Sequence, residues 1–519
     1  MIQYTPQSQI NNRLFESPFD NALDQNNRWV LLRDALPWDE MVKPLHAKMS
    51  LKGRPTIDLR HVLGALIIQS MERLTDESTI STIQENIYMQ YFIGLPSFTT
   101  KEVFTPELFV IIRKRLGGKG IAEINDALLT FLHKTGKIKH RKSYEKKSPK
   151  DIDEPNSEIQ TNDNELEQDR DSDCEDKAST NRGTLKVDAT VAPQWIKFPM
   201  DTDLLNDCRK SSEKIIDILW EHQCFGETKP RTYRRKLKAK FLNFKKTKSP
   251  SKSKIRKMSK TLLNSLSRNK AHIEKGLSAH PLGLAILSKK EYRDFLVMQC
   301  VYDQQLEMYK NKKRQVSDRI VSLHQPWVRP MVRGKAGKKT EFGAQINLSE
   351  SEGYVTFDQV DYNKFNEGLW LEDQVEAYRK LYGYYPSSVL ADKIYLTRKN
   401  RNFLKDHGIA HYGAQLGRPS KMSKQEKKKR AKKQNKRAII EGKIGQAKTK
   451  FGLDKIKTRL AVTNMAKIQL VALGLNVWKY LQYLKNYFSL FFKTIKTDNK
   501  SLAPSYSIFL ALLFCINHS

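Results

Sequence analysis

Cysteine is scarce in this chain: five residues in 519, Cys174, Cys208, Cys224, Cys300 and Cys515, with no Cys-x-x-Cys pair among them. So odd and scattered a set excludes a disulfide framework and a cysteine-built zinc site, and it fits a reducing compartment. Long apolar runs are missing as well. Ser507–Ile516 is strongly apolar but ten residues long, against the roughly 18 needed to span a bilayer as a helix. Gln469–Phe492 is longer, yet it carries Lys479 and Lys485 on an amphipathic pattern, so both stretches read as core or subunit-contact helices with no membrane role. The start, Met1-Ile2-Gln3-Tyr4-Thr5-Pro6, lacks the basic opening and apolar core of a secretory signal, so no export and a cytoplasmic location are expected. Acid is the third shortage: 57 Asp and Glu face 92 Lys and Arg, a formal charge of +35. A field of that sign favours a polyanionic partner, nucleic acid first.

What is present sorts into blocks. At roughly 150 residues per domain the length suggests about three compact units and rules out a single small module. Residues 151–176 hold twelve acids, one base and almost no large apolar side chains, too little surface to offset the entropy of ordering. They form a linker. Before it, residues 28–137 read as helices: Asp58–Ile68 has an apolar stripe, Asp76-Glu77 caps a stretch through Tyr91, and Thr105-Pro106 opens a helix that Gly117-Gly118 closes. After it, Thr184–Val191 is β-rich and carries Asp188. A helix follows over Leu204–His222, and residues 231–270 then hold sixteen Lys or Arg and no acid. Residues 204–324 are therefore an insertion. Strands return at Thr340–Leu348 and Gly353–Val360, a helix at Leu371–Leu381, a strand at Ser387–Ala391 that delivers Asp392, a helix at Thr397–His407 and a strand at Ile409–Tyr412. A basic loop with Gly417-Arg418-Pro419 precedes a Lys-rich helix from about Lys427 to Lys450. Strands first, then alternating strand and helix, indicate a mixed α/β sheet.

Asp188, Asp392 and Glu441 stand on three separate elements. Hard oxygen ligands so placed suit Mg²⁺ or Mn²⁺, and two such ions about 3.5–4 Å apart stabilise both oxygens of a phosphodiester displacement. Asp358 and Asp361 are rival carboxylates for the role of Asp392. Gln434, Arg437, Glu441 and Lys448 lie at offsets that put all four within about 60° on one helix face. An acid flanked by cations there holds a metal while its neighbours contact phosphates. The plainer reading is an exposed helix with an i,i+4 ion pair worth a few tenths of a kcal/mol.

Together Val187-Asp188-Ala189-Thr190-Val191, Leu390-Ala391-Asp392-Lys393-x-Tyr395 and Arg437-x-x-x-Glu441-Gly442-x-Ile444-Gly445-x-x-Lys448, with Phe451-Gly452-Leu453, resemble bacterial insertion-sequence DDE transposases of the insertion-sequence-five-like group. That group surrounds its catalytic glutamate with Tyr-x2-Arg-x3-Glu-x6-Lys. Arg437, Glu441 and Lys448 match, while Gln434 stands where the tyrosine would be. Arg333–Gly343 and the region of Leu36-Pro37-Trp38 are also similar to family elements. The resemblance covers roughly residues 10–135 and 184–475.

It implies an α/β fold with an RNase H-like mixed-sheet catalytic core over 184–460, carrying the basic and helical insertion at about 204–324. An all-α N-terminal domain over 1–137, for DNA-end binding or dimerisation, precedes an acidic disordered linker over 138–183, and C-terminal helices follow over 461–519. It also implies a transposase that cleaves the ends of its insertion sequence and transfers the 3′-hydroxyl to target DNA. Asp188, Asp392 and Glu441 would be the catalytic and metal-binding triad for two Mg²⁺ or Mn²⁺ ions. Arg437, Lys448, Arg333, Lys335 and Arg418 would contact DNA, the element's terminal inverted repeats and the target. A homodimer on DNA, associated with the nucleoid, is the expected assembly. The alternative is a catalytically silent nucleic-acid-binding protein of the same descent.

Other signals are set aside. A P-loop would need glycine where Val332 stands and Ser or Thr where Lys339 stands, so Gly334–Thr340 is no ATP site. His222-x-Cys224, His407 and His411 read as packing residues. The runs 231–270 and 421–437 read as DNA-backbone contacts, since unscreened like charge would repel itself.

Overall fold

Leu185, Val187, Ala189 and Val191 alternate with Lys186, Asp188 and Thr190, and this β-favouring stretch forms β1 (Thr184–Pro193), the strand around which the sheet is built. In the computed structural model, which describes residues 2–7, 9, 23–49, 56–140, 181–332, 340–413 and 423–498, β1 has two partners. β3 (Thr340–Ser351) lies antiparallel on one side, pairing Lys186 with Glu350 and Asp188 with Leu348. β5 (Ser388–Leu390) lies parallel on the other, pairing Thr184 with Ser388 and Lys186 with Leu390. β2 (Arg329–Val332) and β4 (Tyr354–Asp361) share the outer edge of β3, and β6 (Ala410–His411) extends the sheet beyond β5. Gly343 is where β3 passes closest to β1: a Cβ there would collide with the Ala192 carbonyl oxygen.

Helices cover both faces. α1 (Arg28–Ala35), α2 (Trp38–Ala47), α3 (Leu59–Met71), α4 (Asp76–Glu85), α5 (Ile87–Ile93) and α6 (Glu107–Lys134) come from the N-terminal part. Their buried side chains, Trp29, Trp38, Leu63, Phe92 and Phe109 among them, join Leu185, Val187 and Val389 of the sheet in one core. α7 (Asp201–Glu221), α8 (Arg234–Lys246), α9 (Lys252–Ala279) and α10 (Lys289–Asn311) lie between β1 and β2 and bury a core of their own around Leu205, Ile216, Leu262 and Met298. α11 (Leu371–Tyr382) links β4 to β5, and α12 (Arg398–Asp406), capped by the Thr397 side chain, links β5 to β6. After β6 come α13 (Lys424–Asn435), α14 (Ala438–Phe451) and α15 (Ala461–Asp498).

Three local readings are corrected. The helix opened at Thr105-Pro106 does not end at Gly117-Gly118: Gly117 takes a positive φ of 59° that only glycine adopts freely, and the chain kinks there and runs on helically to Lys134. The stretch from Asp76 to Tyr91 is two helices, broken at Asn86, whose side chain caps the second by accepting from Met89 N. Thr75 is the first cap; Asp76 instead binds Arg113 through both guanidinium nitrogens, at 2.8 and 2.5 Å. The Lys-rich helix is also two, α13 and α14, joined at Lys436-Arg437 by i→i−3 bonds. Of the acidic linker, residues 141–180 lie outside the described residues, as do Arg333, Lys335, Arg418 and Ser507–Ile516.

α15 ties these layers together. Its residues enter both the core that holds the N-terminal helices and the core under β3, β4 and α14. Asn476, fully buried, donates to Val355 O at 2.7 Å and to Asn125 Oδ1 at 2.8 Å, and accepts from Val355 N at 2.8 Å. One amide thus joins α15, β4 and α6. Asn476→Leu strands a buried N–H and C=O, so unfolding by denaturant should show a loss of roughly 2–4 kcal/mol. A change under about 0.5 kcal/mol, the range of ordinary surface substitutions, would show that water replaces the amide.

Candidate active site

Asp188 lies mid-way along β1, and its neighbours explain its position. Val187 faces the core shared with the N-terminal helices, so by strand alternation Asp188 points to the opposite face, where α14 packs. β5 stops at Leu390, and extending its register with β1 by two residues brings Asp392 level with Asp188. Asp392 opens a 3-10 turn, Lys393–Tyr395, its Oδ1 accepting from Lys393 N at 2.7 Å. Tyr395 anchors that turn. Fully buried, its hydroxyl donates to Asn347 Oδ1 at 2.5 Å, on the β3 residue paired with Ala189. Burial, and then the negative charges of Glu367, Asp188, Asp358 and Asp392, hold the phenol far above its ordinary pKa. It is a fixed donor at every working pH.

Glu441 is in the first turn of α14. Arg437, one turn earlier, donates from Nη2 to Glu441 Oε1 at 2.7 Å and from Nη1 to Asp188 Oδ2 at 3.3 Å. One guanidinium, 23 % exposed, therefore draws the acids of two elements together. Gln434, at the position where the resemblance expects tyrosine, donates from Nε2 to Ala391 O at 2.9 Å, the carbonyl just before Asp392. The tight turn between α13 and α14 keeps Gln434 and Arg437 aligned, because three-residue steps eclipse in 3-10 geometry. Lys448 lies two turns beyond Glu441 and is half-buried.

Asp188, Asp392, Glu441, Arg437 and Gln434 are thus joined through the chain, whereas the rival acids sit elsewhere. Asp358 accepts from Ser349, Gln374 and Thr356 and lines a separate cavity of about 550 Å³ between α6, β3, β4 and α11; the packing around its carboxyl raises its pKa. Asp361 caps a turn through Asn363 N. His407 packs between Tyr385 and Phe403. A feature the sequence did not disclose is an open groove of about 580 Å³ lined by Thr190, Gln345, Lys364, Glu367 and Ile394. Thr190 and Ile394 each stand two residues beyond a site acid, but Glu367 and Gln345 come from a loop and strand that no local motif marks.

Two carboxylates converging on one cationic group, with a third level with them on the next strand, are donors that suit a hard divalent ion. Among the described residues no group of three or more His, Cys, Asp or Glu is drawn to metal-holding distance. Arg437 instead holds one oxygen of Asp188 and one of Glu441.

Two segments of the chain match known protein families. The model of a transposase DDE domain matches residues 389–477, which contain Asp392 and Glu441, and that of a second transposase domain matches residues 17–115. Both matches are to transposase domains, and they support an insertion-sequence DDE transposase. Over 125 residues, 24% of this chain, it is 26% identical to the "uncharacterized protein ORF8 in nfe locus" of Rhizobium meliloti, and the match spans 60% of that protein. No solved structure matches. Among the described residues no helix is long and apolar enough to cross a membrane.

Arg437→Gln leaves Asp188 and Glu441 without their shared cation. The partly exposed pairs are worth about 1 kcal/mol, so the thermal midpoint should fall by only about 1 °C, and Mn²⁺ should raise the midpoint of the variant more than that of the parent. An equal response to Mn²⁺ in both would remove the guanidinium from the ion's place.

Proposed function

We propose that this chain is a DNA transposase of the insertion-sequence-five-like group, which cleaves the ends of its element and joins the freed 3′-hydroxyl to target DNA. The observation that carries the reading is the convergence of Asp188 and Glu441 on Arg437 with Asp392 level on the adjoining strand. The strand order supports it: an antiparallel β4–β3–β1 set followed by parallel β5 and β6, with helices in the later crossovers, would fit an RNase H-like core. Asp188, Asp392 and Glu441 would hold two Mg²⁺ or Mn²⁺ ions, which supply charge neutralisation at the scissile phosphate and a more acidic attacking hydroxyl.

The chain's own groups account for the rest. Tyr395 and Gln434 fix the backbone on either side of Asp392 and so hold its carboxyl in position. Arg437, once displaced from the acids, is a fork-shaped donor suited to a phosphate. Lys448 adds a second cation on the same helix. Water takes the place of the leaving 3′-oxygen in the first displacement; in the second the 3′-hydroxyl attacks a target phosphodiester, one P–O bond forming as another breaks. Basic α8 presents Lys236, Lys238 and Lys240 to solvent while Leu237 and Phe241 face its core, an arrangement for DNA-backbone contact. A homodimer holding two ends, in the nucleoid, is the assembly this reading expects.

Asp188→Asn, Asp392→Asn and Glu441→Gln should each reduce Mg²⁺-dependent cleavage of DNA bearing the element's ends by about 10²- to 10³-fold or more, with end binding retained in a mobility-shift assay. Undiminished cleavage by any one variant removes that residue from the site. Lys236→Gln, Lys238→Gln and Lys240→Gln together should weaken specific and random duplexes alike. The slope of log affinity against log salt should then flatten by about 0.9 for each phosphate no longer neutralised; an unchanged slope would make α8 a solvated face.

A further inference from the structure

The segment after β1 holds two large aromatic rings out in water. Trp195 is 56% and Phe198 72% exposed, although both follow directly from the strand that carries Asp188. Exposed rings on a loose loop would need no explanation, but this loop is stapled. Gln194 N donates to Phe342 O at 2.7 Å, Trp195 N to Ile456 O at 2.8 Å, and Ile456 N to Pro193 O at 2.9 Å. The Gln194 side chain donates to Thr458 O at 2.7 Å and accepts from Asn464. The backbone that carries the indole is therefore fixed in place. Phe198 is braced edge-on by Phe342, with ring centroids 5.7 Å apart.

The surroundings are cationic. Lys455 Nζ and Lys457 Nζ stand 4.7 and 5.4 Å from the Trp195 ring centroid. Both lysines are exposed, and neither ion-pairs with an acid among the described residues. The adjacent acid, Asp454, is held by Arg73 at 2.7 Å, and Lys197 is matched by Asp203 at 2.9 Å.

We propose that Trp195 and Phe198, flanked by Lys455 and Lys457, form a stacking site for unpaired nucleotides of a single-stranded DNA segment. This rests on the reading of the chain as a DNA-processing enzyme. A duplex hides its base faces and offers only edges and phosphates, so it leaves an exposed indole unsatisfied. An unstacked base supplies a π-face to the ring, and its phosphates supply the anions the two lysines lack. Trp195 is seven residues beyond Asp188, roughly 20 Å along an extended chain. The platform therefore stands several nucleotides from the acids, where a strand freed by cleavage has room to separate from its complement.

The test uses the full chain and fluorescence anisotropy with two labelled probes: a blunt duplex, and the same duplex with a ten-nucleotide thymidine overhang. The parent should prefer the overhang. Trp195→Ala should weaken overhang binding about tenfold and leave the blunt duplex unchanged, while Trp195→Phe, which keeps a ring, retains most of the preference. Lys455→Gln with Lys457→Gln should lower overhang affinity and its salt dependence. Equal losses on both probes, or none, overturn the stacking site. So does a Trp195→Ala variant whose only change is its oligomeric state in sedimentation, since the patch is then a contact between copies. A parent that binds neither probe refutes the DNA reading itself, whereas a parent that binds both equally refutes only the platform.

Discussion

The double pairing of β1 governs the geometry of everything around it. Its antiparallel bonds to β3 set which side of the sheet Asp188 faces, and its parallel bonds to β5 set the height at which Asp392 emerges. A slip of one residue against β3 would turn Asp188 into the core that holds Val187 and Leu185. A slip against β5 would separate the two acids along the strand direction by about 3.3 Å per residue. The buried ion pair between Lys186 and Glu350, at 2.7 Å across β1 and β3, opposes such slips, because any other register leaves a charge in the interior without its partner.

Charge balance at the site follows from that placement. Two carboxylates held close repel each other unless a cation stands between them, and Arg437 supplies that cation from the start of a helix that Ile440, Ala447 and Phe451 already pack against the sheet. The tight turn at Lys436-Arg437 is what lets it do so. In a continuous helix Arg437 would stand about 60° round from Gln434, whereas i→i−3 bonding brings the two into line, one holding the Ala391 carbonyl and the other reaching the acids.

Much of this was legible in the residues. β1, β3, β4 and β5 carry β-branched or aromatic residues between turn signals, and Thr397 and Asp58 announce the helices they cap. The spacing of Arg437, Glu441 and Lys448 marked the acid of α14. What escaped notice was set by contacts distant in sequence. Nothing in Lys-Lys-Gln-Asn-Lys-Arg, all tolerable in helices, marks a break between α13 and α14. Gly117 reads as a helix stop, yet packing of the following turns against α15 carries the chain on as a helix. Tyr395 was visible as part of a motif, but its bond to Asn347 spans 48 residues. Trp195 and Phe198 lie in a stretch without periodicity, and only the fold shows that the backbone at Trp195 is pinned and that both rings are uncovered.

A long acidic segment after the N-terminal helices suggests an independent module on a tether. The packing argues otherwise. Trp29, Phe92 and Ile124 belong to the same buried cluster as Val187, Val389 and Tyr395, so the helices form part of the floor beneath the strand and turn that hold Asp188 and Asp392. Ser70 bonds to Leu470 O at 2.7 Å and Arg73 to Asp454 at 2.7 Å, which fixes the end of α3 to α15 and to the segment after α14. Moving these helices as a unit would expose apolar surface on both sides of the break, at about 25 cal/mol for each Å². DNA gripped by them would be held at a set distance from the acids whatever the linker does. Linker length is then free to vary without loss of alignment, because the noncovalent core, and not the covalent tether, transmits position from one half of the chain to the other.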